Sequence, residues 1–274
     1  MNADDIKVCI LRVGGTNCDA ETKRAFTELG AQAEVIQISD MIKLRNLLDY
    51  NILVLPGGFS YGDYVRSGVI FARHLSAQLG KEIQSFVDEG RPILGICNGF
   101  QILVEYGLLP SLDGVSEYAQ AALTTNEPSG FKCKWVYLKQ ENHGKCAFTT
   151  AIPTGKTIQL PIAHGEGRLL FPKEKEDAIL ERLIDEDMIV LRYCNNNGEV
   201  AEGKYPANPN GSFYDIAGIC NKEGNIFGLM PHPERAMYWW QLPNWTSTNQ
   251  KFQYGDGKLI FQSIINTLTK KSSF

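Results

Sequence analysis

An apolar run that begins at Pro92 ends in Gly95-Ile96-Cys97-Asn98-Gly99, and a helix-compatible stretch follows it. A cysteine with glycine two residues before and two residues after has the layout of a nucleophile elbow. At such a turn a strand gives way abruptly to a helix, the turn residue is strained, and only small neighbours leave room for the chain to fold back. The strain pushes the thiol out of the turn and aims the next amide, that of Asn98, at any oxyanion formed there. The same residues also fit a buried cysteine that merely ends a core strand, so the rest of the chain has to decide.

A second apolar run ends in Met230-Pro231-His232-Pro233-Glu234-Arg235. The prolines fix the backbone around His232, and in extended chain residues i and i+2 face the same way. The Glu234 carboxylate can then hold one imidazole nitrogen and leave the other free. This is a base with its orienter, unless it is only a turn histidine beside a solvated glutamate. A thiol ordinarily ionises near pH 8.5, above neutrality, so Cys97 needs such an imidazole to act as a nucleophile. Acyl transfer also needs donors for the developing negative oxygen. The Asn98 amide is one, and the Pro56-Gly57-Gly58 turn, bare of side chains, offers Gly57 and Gly58 for the other.

These groups share a site only if their strands end on one rim. The first half of the chain alternates strand-like runs at 6–13, 33–38, 51–55 and 92–97 with helical patterns at 19–29, 40–48 and 69–90, the last interrupted near Gly80. Such alternation builds a doubly wound parallel sheet, with chemistry at the carboxyl ends of the strands. Gly14-Gly15, Gly57-Gly58 and Cys97 all lie at such ends. Beyond Pro110 the texture changes to short runs at 131–138, 157–162, 167–171, 188–193, 213–220 and 225–230 between Gly, Pro and Asn turns, which predicts antiparallel strands. A surface helix is expected within 173–187, a loop at 205–211 and a last helix at 257–269.

With 274 residues, of which 43% are hydrophobic and 21% charged, the chain can bury a large core. A net charge of -4 and a pI near 5.7 leave no general attraction to nucleic acid or an anionic membrane. No stretch approaches the ~20 apolar residues that span a bilayer, and the acidic start Met1-Asn2-Ala3-Asp4-Asp5 has no signal core. Seven scattered cysteines, an odd number without a C-x-x-C pair, fit reduced thiols and a cytoplasmic location. His74, His143, His164 and His232 lack the spacing of a zinc site, so no metal site is expected.

The set Leu55-Pro56-Gly57-Gly58-Phe59-Ser60-Tyr61-Gly62-Asp63, the elbow through Phe100-Gln101, and Met230 to Arg235 resembles the class I glutamine amidotransferases. Thr16-Asn17-Cys18-Asp19, Pro161-Ile162-Ala163-His164-Gly165-Glu166-Gly167-Arg168 and Asn208-Pro209-Asn210-Gly211-Ser212 are similar to the branch that serves as glutaminase subunits of phosphoribosylformylglycinamidine synthases. The resemblance implies a flavodoxin-like α/β sheet with some antiparallel strands in its C-terminal half. It implies one glutaminase domain over 1–274, with insertions near 111–150, 173–187 and 237–255. Cys97 is then the nucleophile, His232 the general base and acid, and Glu234 its orienter, with Phe59, Gln101, His164 and Gly165 holding L-glutamine. Arg12-Val13-Gly14-Gly15 departs from the Phe-Pro-Gly type turn common in the family.

The chain has no G-x-x-x-x-G-K-[ST] phosphate loop and no other recognisable ATP site. The resemblance therefore implies that ATP and Mg belong to a separate ATP-dependent synthetase that takes the ammonia for purine biosynthesis, often with a small third subunit, and that this chain needs no cofactor. The aromatic segment 238–245 is a candidate contact surface, or else a cover for the protein's own core. Two other readings stay open: a cysteine hydrolase or peptidase of the same fold, and a silent scaffold that only binds the synthetase. A glutaminase serving another acceptor is the nearer variant.

Overall fold

The computed structural model describes residues 1–247 and 253–270. Strand β1 (Lys7–Arg12) buries Val8, Cys9, Ile10 and Leu11 in succession. Burial of consecutive residues means that both faces are covered, as parallel strands require. Helix α1 (Asp19–Glu28) leads to β2 (Gln32–Gln37), which pairs parallel with β1 at the sheet edge. Helix α2 (Ile38–Leu44) follows, and β3 (Ile52–Leu55) returns to the other side of β1. Helix α3 (Val69–Asp88) is continuous but kinked at Leu79, beside the expected break. Strand β4 (Ile93–Ile96) then pairs parallel with β3, and α4 (Asn98–Tyr106) leaves the sheet immediately after Cys97.

The second half is mostly antiparallel. Strands β5 (Ala122–Thr124), β6 (Lys132–Gln140), β7 (Thr157–His164) and β8 (Arg168–Leu170) precede α5 (Glu176–Asp185), followed by β9 (Ile189–Cys194), β10 (Ile216–Cys220), β11 (Ile226–Leu229) and α6 (Lys258–Lys270). One nine-stranded sheet runs β2-β1-β3-β4-β11-β10-β9-β6-β7, and β5 pairs with β8 apart from it. Strand β11 lies parallel to β4, while every pair from β11 outward to β7 is antiparallel. Strand β7 alternates intermediate and buried residues, one face toward the core, as its pattern predicts.

One difference from the sequence reading lies in the sheet order, where β11, expected among antiparallel strands, pairs parallel with β4; the others are local. Residue 38 opens α2 instead of ending a strand, and 213–215 form a short 3-10 turn before β10. There Ser212 Oγ donates to the Ile216 carbonyl at 2.6 Å, closing the turn before ladder pairing can begin. Strand β5, only three residues long, gave no periodic signal. Within the proposed insertion at 237–255, Tyr238 stacks on Trp240 with ring centroids 4.6 Å apart, and Trp240 and Trp245 are exposed. Residues 248–252 of that segment lie outside the described ones. Among the described residues, no helix is long and apolar enough to cross a membrane.

Candidate active site

Strand β4 lies between β3 and β11, all three parallel, so their carboxyl ends open on one rim. Cys97 follows β4 directly, Gly57 and Gly58 come two and three residues after β3, and His232 three after β11. The elbow is real in its backbone: Cys97 has φ 52 and ψ -105, in a region that non-glycine residues rarely occupy. Its flanking glycines are required by space. A β-carbon at Gly99 would lie 1.8 Å from the Leu55 carbonyl oxygen, and one at Gly95 would lie 2.6 Å from that of Gly99. Cys97 is 5% exposed, and its thiol points toward the Ala163 carbonyl at 3.8 Å.

His232 is held by its main chain, whose N–H donates to the Pro161 carbonyl at 2.8 Å, so β7 locates it as well as β11. Its Nδ1 is 2.6 Å from Glu234 Oε1, with both side chains buried. Nε2 has no hydrogen-bond partner, and the ring interacts electrostatically with Cys97. Burial opposes charge on this ring. The Glu234 carboxylate, Cys97 and a contact with Cys18 outweigh it and hold the imidazole pKa well above its ordinary value. With Nδ1 engaged by Glu234, the nitrogen left to exchange a proton is Nε2.

The turn after β3 lies against this pair. Gly57 and Gly58 donate their amides to no backbone carbonyl among the described residues, while Gly57 accepts from the amides of Asn17 and Cys18. Asn98 opens α4, so its N–H has no partner within the helix. Its side chain ties the site together: Oδ1 accepts from the Ser60 amide at 3.3 Å, and Nδ2 donates to Gln101 Oε1 at 2.9 Å.

Gln101 is buried, and its amide links the elbow to the 164–167 loop: Oε1 accepts from Asn98, and Nε2 donates to the Glu166 carbonyl at 2.6 Å. His164 is buried beneath that loop. Burial, and secondarily the charge of His232, bring its pKa down to about 3, which makes it neutral. Phe59 is 46% exposed and its ring lies 6.4 Å from that of Phe131, whose edge would lie 3.9 Å from a β-carbon at Gly165.

Three residues near the site were given no role by the sequence reading, although Cys18 lies in one of its family-like motifs. Asn126 Nδ2 donates to the carbonyls of His164 at 2.8 Å and Gly130 at 2.9 Å, while Oδ1 accepts from the Gly167 amide at 2.9 Å. Tyr193 is fully buried within electrostatic range of Cys97, and its hydroxyl accepts from Asn210 Nδ2 at 3.2 Å. Cys18, 1% exposed, lies 3.8 Å from His232 Nδ1 and accepts from Arg235 Nη2 at 3.1 Å. Its burial pushes the thiol pKa up.

Residues 5–266 match the model of the CobB/CobQ-like glutamine amidotransferase domain. A protein of Archaeoglobus fulgidus named phosphoribosylformylglycinamidine synthase subunit PurQ is 47% identical over 98% of this chain and 100% of its own. One of the same name from Methanococcus maripaludis is 40% identical over 96% and 93%. Among solved structures, PurLQS from Thermotoga maritima contains a chain that superposes with a TM-score of 0.72 at 37% identity, over 96% of this chain and 99% of that one. The parallel core with its antiparallel flank is thus the class I amidotransferase architecture, and the chain belongs to the CobB/CobQ-like glutamine amidotransferase family, alongside the PurQ subunits.

Proposed function

We propose that this chain is the glutaminase subunit of a phosphoribosylformylglycinamidine synthase, with Cys97, His232 and Glu234 as its catalytic triad. The observation that carries this reading is the arrangement at the rim. A strained, inward-turned thiol stands beside an imidazole whose far nitrogen is fixed by a buried carboxylate and whose near nitrogen is unpaired.

In this reading the Cys97 proton passes to His232 Nε2 and the sulfur attacks the side-chain carbonyl carbon of L-glutamine. The tetrahedral oxyanion is met by amides of the Gly57-Gly58 turn and of Asn98, already oriented by the folds of their loops. Collapse breaks the C–N bond, Nε2 returns the proton to the leaving nitrogen, and ammonia departs from a glutamyl thioester. Water then gives a proton to Nε2 and attacks the thioester. Glutamate leaves and the proton returns to sulfur. Glu234 keeps the ring aligned and balances its charge throughout. Phe59, Gln101, His164 and Gly165 frame the pocket, with His164 neutral so that it adds no charge next to His232.

The ammonia acceptor is made on another polypeptide. The name PurLQS and the 37% identity support a complex with an ATP-dependent synthetase subunit, which holds ATP and Mg, and a small third subunit. Seven free cysteines, six of them buried, are in keeping with a cytoplasmic enzyme. The test is glutamine turnover by the chain with and without its synthetase, together with mass mapping of a glutamine-mimicking electrophile. The reading requires stoichiometric labelling of Cys97 and glutamate release coupled to ATP hydrolysis. Turnover of peptides in place of glutamine, or no adduct in either state, would overturn it.

A further inference from the structure

Behind the imidazole, on the side away from Cys97, three groups that bind metals converge. Cys18 Sγ, His232 Nδ1 and the Glu234 carboxylate lie within 4.8 Å of one another, all buried, although Cys18 and His232 are 214 positions apart in sequence. The Glu234 side chain is 0% exposed and its second oxygen, Oε2, has no hydrogen-bond partner. Thiolate, imidazole and carboxylate make a ligand set suited to a borderline-soft divalent cation. Two tetrahedral ligands, one sulfur and one nitrogen, sit about 3.5 Å apart on zinc, and Sγ and Nδ1 are 3.8 Å apart here. The carboxylate is closer, at 2.6 Å from Nδ1 across the proton they share, and has to turn once that proton leaves.

We propose that Cys18, His232 and Glu234 form an inhibitory site for a divalent cation of the zinc class. A cavity of about 310 Å³ backs onto Glu234 and is lined by Glu21, Glu28, Arg24, Tyr238 and Trp240. Its three carboxylates outnumber the guanidinium of Arg24 and that of Arg235, which pairs with Glu21, and so favour entry of a cation from the side opposite the glutamine pocket. Arg235, now the charged neighbour of Cys18 sulfur, is 38% exposed at its side chain and retains Glu21 as a partner when it withdraws. A cation can be held only when the Cys18 sulfur and Nδ1 both carry no proton. The remaining ring proton is locked on Nε2, the atom that must exchange it with Cys97 and ammonia. Inhibition rests on the catalytic reading given above, whereas binding does not.

The experiment uses the full chain with the exposed Cys133 changed to Ser, titrated with Co²⁺ as an optical probe and Zn²⁺ by calorimetry. The parent and its Cys97→Ala variant should each take up one ion, with a thiolate-to-cobalt charge-transfer band. Cys18→Ser, which keeps the size and hydrogen bonding of the side chain, should lose the band and weaken zinc binding at least tenfold. In the complex with synthetase, the zinc concentration that halves glutaminase activity should rise by the same factor in Cys18→Ser. If Cys97→Ala abolishes the band and Cys18→Ser keeps it, the ion sits at the catalytic thiol and the proposal is wrong. It is equally wrong if the parent binds no ion at micromolar metal. Binding without inhibition would retain the site and refute the assignment of Nε2 as the proton carrier.

Discussion

Gly57 lies directly against the His232 ring: a β-carbon there would come within 2.8 Å of Cε1 and 3.0 Å of Cys18 sulfur. The loop after β3 and the histidine after β11 therefore constrain each other across Cys97. Gly57→Ala should push the imidazole off its line to Cys97 while leaving the core intact. A displacement near 1 Å at a reacting group costs roughly 10²-fold. Glutamine turnover by the variant, measured in the complex, should fall by at least that factor with the melting temperature changed by only a few degrees. Unaltered turnover would mean that the imidazole position is not limiting.

The strain at Cys97 predicts an inversion of the usual order of substitutions. A residue in this backbone region carries roughly 1–3 kcal/mol of strain, which glycine escapes and alanine does not. Cys97→Gly should therefore be more stable than Cys97→Ala by about 1 kcal/mol, despite the roughly 0.5–1 kcal/mol that glycine ordinarily loses to alanine. Denaturant unfolding of the two inactive variants compares them directly. Both should still support synthesis from added ammonia if the partner synthetase is intact.

Glu234→Gln keeps the size of the side chain and removes the charge that offsets burial of His232. The imidazole pKa should fall, so a limb of the pH–rate profile that follows His232 moves to lower pH. Loss of the orienting carboxylate should cost on the order of 10³–10⁴ in kcat. A profile that loses height without moving would assign the limb to another group.

Asn126 braces the 164–167 loop through the His164 carbonyl and the Gly167 amide, and ties it to the Gly130 carbonyl. Asn126→Ala leaves buried partners unsatisfied, at about 1–3 kcal/mol for each. The loop that frames the pocket should loosen, raising KM for glutamine at least tenfold with a smaller fall in kcat. Ammonia-dependent synthesis in the complex, which bypasses the pocket, should hardly change.

These residues also mark what sequence could and could not disclose. The elbow and the His232–Glu234 pair were legible because each is local: glycines at two offsets around a cysteine, a carboxylate two residues from a histidine. The parallel order of β1, β3 and β4 was legible because these strands are buried on both faces and separated by crossovers, whereas the parallel pairing of β11 with β4 was not, since its run sits among the antiparallel strands and meets β4 only across the fold. Asn126 was not, since it sits in a polar loop and gains its meaning from partners 38 and 41 residues away. Cys18 stood out only as part of a family-like motif, because its neighbour His232 is brought beside it by the sheet alone. The start of β10 was hidden because Ser212 closes a turn where the apolar pattern already resembles a strand.

His164 gives a stability prediction with a definite sign. It is buried and neutral, its pKa brought down to about 3 from an ordinary 6.5. Between those values the unfolded chain binds a proton that the folded chain refuses, so this residue makes the protein less stable as pH falls through 6.5 toward 3. His232 works in the opposite direction in a different window: its raised pKa gives stability that is full below 6.5 and is lost as pH rises through the folded value. The two can be separated by measuring unfolding free energy from about pH 6.5 down to about 5, above the range where most carboxylates titrate. Replacing His164 with Gln, which keeps a hydrogen-bonding amide near Asn126 but has no proton to gain, should make that slope shallower by up to about 1.4 kcal/mol per pH unit. An unchanged slope would mean that His164 is protonated in the folded protein, and the neutral pocket drawn around glutamine would have to be given up.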